Sequence, residues 1–273
     1  TVDLDHQAYL GSTVEAIACE KAGIVKAAVP VVIGRIDAPA RRVIEERALA
    51  QAVCVYGVDR EFRCAGPSTA DCHYVGMAVR YDHLSCPLQG RFQLDNIACA
   101  LALIELARER GLTVSEEAVR KGLQRVAWEG RMEIVAEAPT VMVDGAHNPA
   151  AALALAEYLA EWRRARPAAR ISLIVGMMRD KHPREFLAPL LPLAETVIFT
   201  QADLPRAAAG PDLRELLRDW APFAQVAATP ADALACAKRS VSSSDLICVT
   251  GSLMLVGEIK AHLRGCSLSP VRG

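Results

Sequence analysis

VMVDGAHNPAAALALAEYLAEWRRA, residues 141–165, decides the architecture of the chain's second half. Val141 to Val143 read as a short buried strand. Asp144, Gly145 and Ala146 turn the chain. Asn148 followed by Pro149 then reads as a helix start, because asparagine caps free N–H groups and proline suits the first helical position. The helix runs on over 149–165. Strand, turn and helix in this order form half of a β–α–β unit.

The alternation continues outward. Short apolar runs stand at 171–175 (ISLIV), 196–199 (TVIF) and 246–249 (LICV), with a weaker one at 225–228 (QVAA). Helical stretches are expected at 149–165, 182–192, 211–219, 230–239 and 252–264. This pattern predicts an α/β fold, an open and mostly parallel sheet with helices on both faces. Ligands of such sheets bind at the carboxyl ends of the strands. The functional weight therefore falls on Asp144 to Pro149, Gly176 to Lys181 and Thr250 to Ser252.

Upstream, a helix is expected over 12–23, opened by Ser12 and Glu15 as a capping box. A strand at 30–34, a helix at 38–52 and a strand at 53–57 suggest parallel units here too. Residues 60–90 lose the helical period and read as antiparallel strands or hairpins. Helices at 96–110 and 115–126 follow. Trp128-Glu129-Gly130 is the expected junction, giving domains 1–129 and 130–273. At roughly 150 residues per domain, two domains suit the length of 273 residues.

Composition narrows the function. Hydrophobic residues make up 52% and charged residues 23%, a globular balance that excludes a disordered chain. With 31 Lys and Arg against 32 Asp and Glu, the net charge of −1 carries no signature of a nucleic-acid or membrane-surface binder. The apolar runs fall short of a membrane span, and no signal peptide is visible. The nine cysteines are odd in number and several sit in apolar runs, which fits free thiols in the cytoplasm. Cys64, Cys72, His73, His83 and Cys86 form a cluster in which zinc is conceivable, with a hairpin carrying free thiols as the plainer reading.

Single residues carry two readings each. Asp144 is placed to take ribose hydroxyls or a cation, and His147 to meet an anion near a helix start. Asp5 and His6 end a first strand, where a metal or phosphate would sit. Lys21, taken alone, reads as a solvated lysine. Arg131, at the junction, is placed to reach a nucleotide phosphate or to lie on the surface. The loops 176–182 and 204–207 are cleft edges or solvated turns. The chain contains no G-x-x-x-x-G-K-[ST], no G-x-S-x-G and no H-E-x-x-H.

Taken together, six blocks resemble the folylpolyglutamate synthase/dihydrofolate synthase family of the Mur ligase superfamily. They are LDHQAYLGSTVEAIACEKAGIVK (4–26), FQLDNIACALALIEL (92–106), GRMEIV (130–135), VDGAHNPAA (143–151), GMMRDKH (176–182) and VTGSLMLVGE (249–258). The resemblance implies the rear part of a P-loop ATPase domain of the Mur ligase central type, followed by a Rossmann-like domain with a mostly parallel sheet. It further implies ATP and Mg²⁺ as cofactors, and the addition of L-glutamate to dihydropteroate or a folate. By this resemblance His6 is a Mg²⁺ ligand and Lys21 the lysine that becomes carbamylated. Asn96 lies near adenine, Arg131 on the phosphate side of ATP and Asp144 on the ribose side. His147 and Ser252 would hold the incoming glutamate, with His147 also catalytic.

The implied reaction forms an amide through an acyl phosphate. The partners would be small molecules, with no nucleic acid and no membrane, and the complete protein a cytoplasmic monomer. The opening at Thr1 and the missing P-loop motif suggest part of a longer protein, so the chain by itself is expected to be inactive. A Mur-type cell-wall ligase and a non-catalytic nucleotide-binding remnant are the alternatives.

Overall fold

The computed structural model describes residues 13–266. The chain divides into two compact units, with the boundary between Ala127 and Trp128.

In the first unit, α1 (Val14–Ala22) is capped by Thr13, whose hydroxyl accepts from the Ala16 N–H at 3.1 Å. Thr13 thus does the work expected of Ser12, which lies outside the described residues. β1 (Val31–Ile33) pairs in parallel with β2 (Val55–Gly57), and α2 (Ala38–Ala50) connects them. β3 (Arg63–Ser68), β4 (Asp71–Val75) and β5 (Arg80–Leu84) form an antiparallel meander. α3 (Gln93–Glu109) lays Leu94, Ile97, Leu101 and Leu106 on the buried side, where Leu94, Ile97 and Leu101 share a core with Phe62, Tyr74 and Leu84. It begins three residues before the expected start. α4 (Glu116–Arg125) is capped by Ser115, which accepts from Ala118 N–H, and carries Glu116–Arg120 and Glu117–Lys121 pairs at helical spacing.

The conceivable zinc cluster does not assemble. Cys72 and Tyr74 face the core, and the strand pleat turns His73 between them the other way. His83 is exposed, with Nδ1 near Asp71 at 3.4 Å. Among the described residues no three His, Cys, Asp or Glu side chains gather to hold a metal ion. All nine cysteines are free.

The second unit is built on a six-stranded sheet of order β10-β9-β8-β11-β7-β6. β7 (Thr140–Val143), β8 (Ile171–Val175), β9 (Thr196–Phe199), β10 (Gln225–Val226) and β11 (Leu246–Thr250) run parallel. β6 (Glu133–Ala136) pairs antiparallel with β7 at the edge, a strand that the sequence reading did not expect. All five residues of β8 and of β11 are buried, so both faces of the sheet centre are covered, as parallel sheets require. The helices are α5 (Pro149–Ala165), α6 (Pro183–Leu187), α7 (Gly210–Leu216), α8 (Pro230–Ser240) and α9 (Leu253–Arg264). The single helix expected over 182–192 is instead α6 and a 3₁₀ turn at Leu191–Leu193, because Pro189 and Pro192 have no N–H to continue it.

At the amino ends of β8 and β11, Asp245 is 1% exposed. Burial pushes its carboxyl up. Hydrogen bonds from Arg170 N–H, Ser242 N–H and the Arg170 guanidinium outweigh that and hold its pKa at about 2. A depressed carboxyl stabilises the fold above its unfolded pKa and loses that contribution as pH falls through the folded one. Urea unfolding at stepped pH should therefore show the second unit weakening between about pH 4 and pH 2. Asp245→Asn should flatten that dependence.

Candidate functional site

β7, β11 and β8 are neighbours, and their register sets Val143 beside Val249 and Thr250 beside Val175. The three chains leave the sheet together. Asp144 N–H donates to Val249 O at 2.9 Å, Gly251 N–H to Ala146 O at 2.9 Å, and Gly176 N–H to Thr250 O at 3.2 Å. At Gly251 the backbone has φ +107°, and a Cβ there would stand 2.7 Å from Gly176 O. Only glycine fits that close approach.

Asp144 anchors this edge. It is buried, and both of its oxygens accept backbone N–H groups: Oδ2 from Met132 at 2.9 Å and Oδ1 from Ala146 at 2.8 Å. Burial raises its pKa, against the lowering effect of those bonds and of the Arg131 and His147 charges. A second bond, from Gly145 N–H to Gly130 O at 2.7 Å, fastens the turn before β6 to the turn after β7. Gly130 (φ +70°) and Met132 (φ +45°) both take left-handed backbone there. For methionine that is costly, and the Asp144 bond holds it in place. Arg131, between them, is exposed.

His147 is half-buried, with Nδ1 2.8 Å from Gly145 O. A carbonyl only accepts, so Nδ1 is the donor in this contact, which fixes the orientation of the ring. Asn148 caps α5 by accepting from Ala151 N–H at 2.9 Å, and Ser252 caps α9 by accepting from Leu255 N–H at 3.1 Å. The Ser252 hydroxyl still has a hydrogen to donate. Two helix amino ends thus open at one sheet edge, an arrangement suited to an anion. The loops after β8 and β9 are zipped together by bonds from Arg179 N–H to Arg206 O at 3.0 Å and from Ala208 N–H to Met177 O at 2.9 Å.

The structure thus gathers Arg131, Asp144, His147 and Ser252 at the carboxyl edge of one sheet. Lys21 and Asn96 belong to the first unit. Lys21 is exposed in the last turn of α1, and Asn96 is exposed on α3, its Nδ2 donating to Gln93 Oε1 at 2.7 Å. His6 lies outside the described residues. The sequence reading missed Glu133 and Lys260. Lys260 is 6% exposed on the apolar stripe of α9 beside Val256 and Ile259, and a lysine inside such a stripe is the signal that would have found it.

Residues 130–253 match the family described as Mur ligase, glutamate ligase domain. The dihydrofolate synthase/folylpolyglutamate synthase of Bacillus subtilis is 31% identical over 274 residues, 95% of this chain and 60% of that protein. Folylpolyglutamate synthase of Mycobacterium tuberculosis, solved with ADP and AMPPCP, superposes with a TM-score of 0.86 at 29% identity. That likeness covers 98% of this chain and 63% of the other. A bifunctional folylpolyglutamate synthase/dihydrofolate synthase solved with Mn, AMPPNP and L-glutamate gives 0.83 at 29% identity, over 96% of this chain and 60% of the other. The fold of the second unit is that of the Mur ligase glutamate ligase domain. Over almost its whole length the chain is similar to folylpolyglutamate synthases/dihydrofolate synthases. It spans about three-fifths of the B. subtilis relative.

Asp144→Asn keeps the side chain's shape but can set an NH₂ group against a backbone N–H. Urea unfolding should report a loss of about 1–3 kcal/mol. Unchanged stability would mean that the carboxylate does not anchor the turn.

Proposed function

We propose that the chain is part of an ATP-dependent ligase that adds L-glutamate to dihydropteroate, to the glutamyl tail of a folate, or to both. Residues 1–129 would be the rear of its ATP-binding domain and 130–273 the glutamate-ligase domain. One observation carries the reading: the Asp144-anchored turn presents Arg131 at the same sheet edge as two capped helix amino ends. The kinship with folylpolyglutamate and dihydrofolate synthases supports it.

The acceptor's carboxylate attacks the γ-phosphorus of ATP, and ADP leaves. The α-amine of L-glutamate attacks the acyl phosphate carbon, and inorganic phosphate leaves. The chain's task is to hold several anions together and to keep water from the acyl phosphate. Arg131 neutralises phosphate charge. Asp144 keeps lone pairs for a ribose hydroxyl beside its two N–H bonds. His147, its ring oriented by the contact of Nδ1 with Gly145 O, takes a proton from the incoming ammonium. Ser252 donates to the glutamate carboxylate. Asn96 faces adenine.

Mg²⁺, when bound, would offset charge on the phosphates, with His6 and a carbamylated Lys21 as its proposed partners. Among the described residues no His, Cys, Asp and Glu side chains form a metal site by themselves. Free thiols fit a cytoplasmic protein, and we read the complete enzyme as a monomer. No described helix is long and apolar enough to cross a membrane.

The complete gene product, given ATP and Mg²⁺, should release ADP only when a pteroate or folate acceptor and L-glutamate are both present. ADP release that requires a UDP-muramoyl acceptor would contradict the proposal. In the same assay Lys21→Ala should lower turnover far more than it lowers the melting temperature. Equal activity would remove the carbamate role.

A further inference from the structure

Lys260 is a buried cation for which the proposed chemistry has no use. Its ammonium touches both oxygens of Glu133, at 2.7 and 2.6 Å, and Glu129 Oε2 at 2.9 Å. Glu133 Oε2 in turn accepts the Gly130 N–H at 2.7 Å. Glu129 also meets Arg264 at 3.4 Å. The charges therefore run from the core side of α9 straight into the turn that carries Arg131. Gly130 is held from one side by Glu133 and from the other by Gly145, and Met132 is held by Asp144. Arg131 sits between two fixed residues.

A buried ion pair is poor evidence of stabilisation, since an apolar side chain of similar volume packs as well. Val256 and Ile259 flank Lys260 on its stripe, so methionine would suit the surroundings. What methionine cannot do is gather two carboxylates from the two ends of one turn. We propose that Lys260 is a positioning residue: through Glu133 and Glu129 it fixes the Glu129–Glu133 turn and so aims Arg131 at the nucleotide phosphates. The inference rests on the reading of Arg131 as a phosphate contact, and it adds a residue that acts through Arg131 without touching substrate.

The test uses the complete gene product and its ATP dependence. Lys260→Met should raise the ATP concentration for half-maximal rate about 10-fold, the scale of one weakened charge-assisted hydrogen bond, with little change at saturation. Lys260→Arg should restore most of the loss, because guanidinium also bridges carboxylates. In an Arg131→Ala background, Lys260→Met should add nothing further. Should Lys260→Met fail to fold, the pair Lys260→Met with Glu133→Gln strands no carboxylate and should show the same rise. Unchanged ATP dependence in Lys260→Met beside an impaired Arg131→Ala would overturn the inference alone, as would effects that simply multiply. An Arg131→Ala protein that uses ATP like the wild type would overturn the phosphate role of Arg131 itself, and the inference with it.

Discussion

Two hydrogen bonds to one carboxylate organise the site. Asp144 ends β7, and its oxygens reach backward to Met132 and forward to Ala146. The first bond ties the entrance of the second unit to its sheet. The second shapes the turn that delivers His147 and Asn148 to the start of α5. A neutral side chain of the same size has one acceptor where two are needed. Burial works against the ionised form, and the two N–H groups that face the carboxylate work the other way.

The parallel sheet supplies the rest. Its order sets β11 between β7 and β8, so three chain exits lie side by side. Crowding there is severe enough that Gly251 cannot carry a side chain. Two helices begin at this edge, each with a side-chain cap and a set of backbone N–H groups near the surface. Such an edge receives an anionic ligand with little rearrangement, which suits a reaction in which phosphates and carboxylates must meet. Lys260 adds support from beneath.

Much of this was legible in the residues. The apolar runs located the central strands because parallel strands buried on both faces have continuous apolar sequence. Asn148-Pro149 fixed the start of α5 because its capping is local chemistry. What escaped was non-local or weakly patterned. β6 is an edge strand with Glu133 and exposed Ile134, so no apolar run marks it. The helix expected over 182–192 broke at prolines whose effect depends on position. Asp144 read as a ligand-facing acid. Its two backbone partners, one of them twelve residues upstream, became visible only with the turn in place. The Lys260–Glu133 pair joins elements 127 residues apart, beyond any local pattern.

The central claim is that the Asp144-anchored edge receives the nucleotide. Hydrogen–deuterium exchange of the protein with and without ADP and Mg²⁺ tests it most directly. The account predicts slower exchange at 130–132, 144–148 and 250–252, with no change at 240–245 on the opposite end of the strands. Protection confined to 240–245, or none at the three turns under saturating ADP, would contradict it.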